Sequence, residues 1–210
     1  NATRRIAEAC AEGRVRLITL SSTSVYGTAA DVVDEECGED ELKPQSPYAT
    51  TKLKEERLVQ DLVARKGLEA SVFRFGTICG PSPGMRFHTA VNKFCWQAAM
   101  RQPITVWKTA YDQKRPYLAL SDACRAIEHI VKKCLFDGRI YNVLTWNLTV
   151  RQVVEVIESF VGKLDVRFVE SPIMNQLSYE ASNKRFRVTG FEPEGDLRAT
   201  IGEEIGWLHV

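Results

Sequence analysis

Val15-Arg16-Leu17-Ile18-Thr19-Leu20, ending in Ser21-Ser22, and Ala70-Ser71-Val72-Phe73-Arg74-Phe75 are two short β-rich runs with one long helical pattern between them. Ser46-Pro47 opens that pattern with an N-cap residue and a proline at the first helical position, and Gly67 closes it after Lys66. Leu53, Leu58, Leu62 and Val63 supply its buried face. Strand, helix, strand in this order predicts two parallel strands joined by a crossover helix.

Working outward, the pattern continues. Residues 2–13 read as a helix with Ile6, Ala9 and Cys10 on one face and Gly13 as its stop. After residue 75, Gly76 and Gly80-Pro81-Ser82-Pro83-Gly84 form a turn-rich loop, and helix returns over 88–101. Ile104-Thr105-Val106-Trp107 is a short strand; Ser121-Asp122 caps a helix to about Phe136; Arg139–Leu144 is strand, Thr149–Val161 helix, Val166–Val169 strand, and a last helix starts near Asp196. The alternation predicts an α/β fold built on a parallel sheet. The connection of about 25 residues before Ser46 is acidic in its middle, with Asp34, Glu35, Glu36, Glu39, Asp40 and Glu41, and its length points to function.

At 210 residues, 44% apolar and 26% charged, the chain has the composition of a globular protein of one large domain or slightly more. Lys and Arg total 28 against 27 acids, a net charge of +1, so no general field draws it to nucleic acid or to an anionic membrane. No membrane span or signal peptide is visible, and a cytoplasmic protein is expected. The six cysteines form no Cys-x-x-Cys pair and no zinc pattern, so reduced packing residues and no metal are expected.

Chemistry concentrates in two places. Tyr48 and Lys52 stand one helical turn apart near a helix N-terminus, where an ammonium and the positive helix end favour a phenolate, as a general base or acid requires. Alone, this spacing reads equally as a surface i,i+4 pair. Its company is Ser21-Ser22-Thr23-Ser24-Val25-Tyr26-Gly27, which sets hydroxyls at the C-terminal end of a strand, where open α/β sheets bind ligands. For Ser21 by itself a Ser/Thr-rich turn suffices.

Taken in order, Ser22-Thr23-Ser24-Val25-Tyr26-Gly27, Ser46-Pro47-Tyr48-Ala49-Thr50-Thr51-Lys52, Arg74-Phe75-Gly76-Thr77-Ile78-Cys79-Gly80-Pro81 and Arg115-Pro116-Tyr117 with Asp122 resemble the extended short-chain dehydrogenase/reductase family, the NAD-dependent nucleotide-sugar epimerases and dehydratases. Tyr141-Asn142-Val143 matches the family's next strand. The resemblance implies a doubly wound, Rossmann-like fold with a smaller C-terminal substrate-binding subdomain. Residues 1–80 would be the later half of the Rossmann-like domain and 81–210 mainly the subdomain, with segments near 104–144 returning to the main sheet.

The resemblance also implies roles. Tyr48 would carry the proton of a sugar hydroxyl, Lys52 would hold the nicotinamide ribose, and Ser22 and Ser24 would orient the reacting hydroxyl. Leu20, Ser21, Ser22, Phe75, Gly76 and Thr77 would face the coenzyme, NAD or NADP, although Thr77 stands where the family commonly has Asn. Arg115 would bind the substrate diphosphate, in the company of Arg86, Lys93, Lys108 and Lys114. Trp107 would stack on the base, or serve as a strand-end core residue; His88 and Asn92 would line the sugar pocket, or lie on a helix surface; Asp122 reads as a helix cap and Cys79 as packing. The family's dehydratases carry Asp-Glu where this chain has Thr23-Ser24, so a 4,6-dehydration is not expected. A homodimer through the helix at 2–13 and the Tyr48 helix is implied.

A glycine-rich dinucleotide loop is absent from these residues, and the chain opens on Asn1 in a helical pattern, so the expectation is a fold lacking its N-terminal dinucleotide-binding part. Strand 15–20 would then present an open apolar edge, and the 210-residue polypeptide alone would bind NAD(H) negligibly and tend to aggregate. Two other readings keep some of these residues: a reductase of a non-sugar carbonyl, with no use for Arg115, and a catalytically silent relative or inactive fragment.

Overall fold

The computed structural model describes residues 2–27, 32–39, 41–170 and 178–208; Asp40 of the acidic connection lies outside them. The elements in order are α1 (Ala2–Gly13), β1 (Leu17–Ser22), β2 (Val32–Val33), α2 (Pro47–Lys66), β3 (Ala70–Phe75), β4 (Thr77–Cys79), α3 (Ala90–Ala99), β5 (Ile104–Trp107), β6 (Lys114–Ala119), α4 (Leu120–Lys133), β7 (Asp137–Val143), β8 (Trp146–Thr149), α5 (Val150–Val161), β9 (Val166–Val169), β10 (Glu180–Ala181), α6 (Lys184–Arg187) and α7 (Leu197–Leu208).

The central sheet runs β1-β3-β7, all parallel. Strand alternation sorts its residues onto two covered faces. Ala70 and Val72 of β3 pack with Ala7 of α1 and Val59 and Leu62 of α2, while Phe73 and Phe75 pack with Ala123, Ala126 and Ile130 of α4 and Phe186 of α6. The three layers are those of a Rossmann-like α/β fold. Around it, β4 pairs parallel with β6, which pairs antiparallel with β8; β5 pairs parallel with β9, and β2 with β10. A second core joins α3, α5 and α7 through Val91, Phe94, Cys95, Val153, Ile157, Ile201 and Ile205.

Local signals hold where they are strongest. Ser46 Oγ accepts from the Ala49 amide at 3.1 Å, Pro47 occupies the first turn of α2, and Gly67 closes it at φ 64°. Thr149 and Gln152 form a reciprocal capping box at α5. Three readings need correction. Gly13 ends α1 as a helical residue, and the left-handed position falls on Arg14 at φ 53°. Strand β1 begins at Leu17, two residues later than the apolar run, because Val15 lies outside the pairing with β3 and is exposed. Asp122 is no cap for its own helix, which starts at Leu120 without a side-chain cap. Its wholly buried carboxylate instead accepts from the Glu194 and Gly195 amides, at 2.9 and 3.0 Å, from Thr145 Oγ1 and from Arg125, fixing the approach to α7.

Candidate active site

Two cavities, of about 590 and 740 Å³, adjoin at the C-terminal ends of β1 and β3 and share Ser22, Ser24, Thr77, His88 and Thr89 among their walls. Ligands of open parallel sheets bind at this end.

The larger cavity is walled by Leu20, Ser21, Ser22 and Ser24, by Tyr48 and Lys52 of α2, and by Phe75, Gly76 and Thr77 where β3 passes into β4. Met85, Arg86, His88 and Asn92 close its far side. Gly76 suits the close approach of β6, because a Cβ there would lie 3.0 Å from the Pro116 carbonyl oxygen. Tyr48 is 57% exposed and so open to a ligand. Lys52 Nζ lies 5.9 Å from its ring centre and donates to the Leu20 carbonyl at 3.0 Å and to Glu55 Oε2 at 3.1 Å. An ammonium has three donors, so these bonds fix Lys52 at the end of β1 and leave one N–H for a ligand. Partial burial raises the Glu55 carboxyl, but hydrogen bonds from Thr3 and Lys52 outweigh it and hold the group below the usual carboxylate range.

Ser22 and Ser24 belong to the tight turn at residues 23–25. Ser22 Oγ accepts from the Ser24 amide at 3.2 Å, and Ser24 Oγ is buried with no hydrogen-bond partner among the described residues. That hydroxyl sits where the two cavities join, although buried polar groups ordinarily have a partner. Thr23 is spent structurally, its hydroxyl donating to the Phe75 carbonyl at 3.3 Å.

The second cavity runs on past Thr77 to Lys93, Trp107 and Arg115. The Arg115 guanidinium lies 5.4 Å over the ring of Tyr179, whose phenol is pushed up by burial and donates to the Thr23 carbonyl at 3.0 Å. Trp107 is 47% exposed at the end of β5, which places it on the cavity wall rather than in the core. Across both cavities the walls carry Lys52, Arg86, Lys93 and Arg115 and no Asp or Glu among the described residues.

The residues to which the resemblance gave coenzyme, sugar or diphosphate roles line these two adjoining cavities, whereas Lys108, Lys114, Asp122 and Cys79 do not. Asn92 is 5% exposed rather than on a helix surface; its Nδ2 donates to the Arg86 carbonyl at 3.3 Å and its Oδ1 has no partner among the described residues. His88 precedes α3 instead of lying on it. Lys114 is ion-paired to Glu180, and Lys108 does not line the cleft, so the basic neighbourhood of Arg115 is narrower than expected. Sequence reading assigned no role to Glu56 or to the side chain of Arg74, a buried ion pair directly behind the cleft. A signal for each was present: Glu56 falls within the helical stripe of Ala49, Leu53, Val59 and Leu62, and Arg74 is the one charged residue of a wholly buried strand.

A family model, described as the NAD dependent epimerase/dehydratase family, matches residues 1–143. The chain belongs to that family. Among curated relatives of this NAD dependent epimerase/dehydratase family member, an uncharacterized UDP-glucose epimerase of Bacillus subtilis, YtcB, is 28% identical over 99% of this chain and 65% of its own length. A UDP-glucuronate 4-epimerase of Thermodesulfobacterium geofontis is 23% identical over 93% of this chain and 59% of its own length. The chain therefore spans about two thirds or less of the curated relatives it matches. Among solved structures, MoeE5 in complex with UDP-glucose and NAD superposes with a TM-score of 0.85, at 28% identity over 98% of this chain and 69% of that one. Among the described residues of this epimerase/dehydratase family member, no helix is long and apolar enough to cross a membrane.

Proposed function

We propose that this chain carries the catalytic and substrate-binding part of an NAD-dependent epimerase acting on a nucleoside-diphosphate sugar. The observation that carries the reading is the composition of the cleft: Tyr48, Lys52 and an unpartnered Ser24 Oγ at one end, Lys93 and Arg115 at the other, with no carboxylate between them among the described residues. A diphosphate suits the cationic end, where the planar guanidinium of Arg115 is preorganised for paired oxygens. Trp107, half exposed, offers a face to the base. UDP is the favoured nucleotide and NAD the favoured coenzyme, since the relatives named above are UDP-sugar epimerases and MoeE5 was solved with UDP-glucose and NAD.

The residues at the other end fit a nicotinamide ribose and a sugar hydroxyl. Lys52 has a donor to spare, Gly76 leaves the backbone open at the β3–β4 passage, and Ser24 Oγ can donate to or accept from the reacting oxygen. When bound, NAD would supply a reversible hydride acceptor, and return of the hydride to the opposite face of the oxidised sugar carbon would invert it with no net oxidation. The protein's own part is to move the proton. Tyr48 Oη takes it from the sugar hydroxyl, Lys52 holds the ribose, Ser24 holds the oxygen in line, and the same Tyr48 oxygen returns the proton. Dehydration would need a further acid and base at the sugar, which Thr23 and Ser24 cannot supply. The family's homodimer is proposed with this function, through α1 and α2; Ile6 and Ala9 of α1 are exposed and available for it.

The test is Tyr48→Phe in the intact protein. Turnover of a UDP-hexose to its epimer should fall about a thousandfold, within the usual range for loss of a general acid–base group, while the dissociation constant for the sugar nucleotide changes less than about threefold. A Tyr48→Phe protein within about tenfold of wild type, or about 1.4 kcal/mol of barrier, refutes the assignment.

A further inference from the structure

Behind the cleft lies a polar layer that the chemistry above does not use. Glu56 stands on α2 four residues past Lys52 and eight past Tyr48 and is 1% exposed; Arg74 on β3 is 2% exposed. Arg74 Nη2 donates to Glu56 Oε2 at 2.7 Å, and Nε lies 3.0 and 3.2 Å from the two carboxylate oxygens. Ser21 Oγ donates to Glu56 as well. On its far side Arg74 Nη1 donates to Tyr26 Oη at 2.9 Å, and Tyr26 Oη donates to Asn142 Oδ1 at 2.9 Å.

These contacts share one level of the sheet. Ser21 is the register partner of Arg74, and Arg74 is the register partner of Asn142. One residue further along, Ser22 and Phe75 form the floor of the cleft. A single carboxylate on α2 therefore grips β1 and β3 at matching heights, just below the place where both strands meet the ligand. With a rise of about 1.5 Å per residue, Lys52 stands about 6 Å and Tyr48 about 12 Å along the helix from that grip.

Stability alone gives little reason for such a pair, because well-packed apolar side chains of similar volume hold a core equally well or better. What a forked guanidinium–carboxylate contact adds is direction: it permits one orientation and one height, whereas apolar contacts allow sliding. We propose that the Glu56–Arg74 pair is a positioning device, fixing the height and rotation of α2 on the β1–β3 ladder and hence the place of Lys52 Nζ against the Leu20 carbonyl and of Tyr48 against Ser24. Its catalytic consequence rests on the function proposed above; its geometric content does not.

The experiment is the Glu56→Met/Arg74→Met double variant of the intact protein, in which neither charge is left unpaired. Its crystal structure should show α2 displaced by about 1 Å or more, with the Lys52–Leu20 hydrogen bond lost. For a UDP-hexose, kcat should fall about a hundredfold, as an error of that size in placement can cost, with KM within about threefold. Arg74→Lys keeps the charge and removes the fork, so it should also lose kcat, and it supplies both readouts if the double variant does not fold. A variant in which α2 keeps its place, with Lys52 Nζ still at hydrogen-bond distance from the Leu20 carbonyl, overturns the proposal whatever the activity. A displaced α2 with wild-type kcat overturns the catalytic consequence. If the wild type epimerises no nucleotide sugar, the proposed function falls, and the crystal structures still decide whether the pair places the helix.

Discussion

Among the described residues two glutamates lie buried, and their surroundings are opposite. Glu56, between α2 and the central sheet, receives Arg74 and Ser21. Glu204, wholly buried on α7 in the core shared with α3 and α5, has neither oxygen hydrogen-bonded among the described residues. Burial pushes the Glu204 carboxyl up to about 7. The same burial lifts the neighbouring Cys79 thiol to about 12 and raises that of Cys95. Burial of a charge is thus tolerated in two ways: by a partner in a fixed geometry, or by keeping the proton. The first defines positions precisely where the cleft needs them; the second defines nothing and costs stability at neutral pH.

Substitutions should separate the two cases, the largest effect coming from the paired site. Glu56→Leu alone strands the Arg74 guanidinium in the core and should destabilise the protein by about 3–5 kcal/mol in urea melts. A loss under about 1 kcal/mol would mean that water or another acid reaches Arg74, and the contrast would fail.

Glu204→Leu should act in the other direction. Its carboxyl titrates near the ordinary 4.5 in the unfolded chain and near 7 in the folded one, so the folded state keeps a proton that the unfolded state releases. Stability is therefore unaffected below about pH 4.5, falls as pH rises from there to about 7, and is level above. At about 1.36 kcal/mol per pH unit, the loss by pH 8 amounts to roughly 3 kcal/mol. Glu204→Leu should recover up to that amount at pH 8, gain little at pH 4.5, and flatten the profile between. A wild-type stability that rises from pH 5 to 8 while the variant's stays level would show the sign to be wrong.

The smallest effect belongs to the exposed control on the same helix as Glu56. Arg65 Nε lies 2.6 Å from Asp61 Oδ1, with side chains 78% and 45% exposed. Arg65→Ala should cost about 0.5 kcal/mol or less, since water screens the pair and its ordering offsets the attraction. A cost above about 1 kcal/mol would remove burial as the variable that distinguishes these sites.

The contrast also marks what can be read in the sequence. Helix α2 and strand β3 are legible because their signals are local: a Ser-Pro start, a glycine stop and a short run rich in β-branched and aromatic residues. Strand β6 is not, because Lys114, Arg115 and Pro116 hide an otherwise buried strand, and Thr77–Cys79 is too short to declare itself between two glycines. Tyr48, Lys52, Ser22 and Ser24, singled out by their order along the chain, all line the cleft. Glu56 was lost among Lys52, Lys54, Glu55 and Arg57, which together look like a solvated face. Asp122 was misread because its partners, Thr145, Glu194 and Gly195, come from distant segments that no local pattern brings together.

The central claim, inversion of a sugar carbon by removal and return of a hydride with Tyr48 moving only the hydroxyl proton, is tested most directly by the fate of one hydrogen. The intact protein with NAD and a UDP-hexose would be run to equilibrium in deuterium oxide and the epimer examined by NMR. The account predicts that the epimer forms with protium at the inverted carbon, because that hydrogen never exchanges with solvent. Deuterium at that carbon would contradict it, placing proton abstraction from carbon where hydride transfer is claimed.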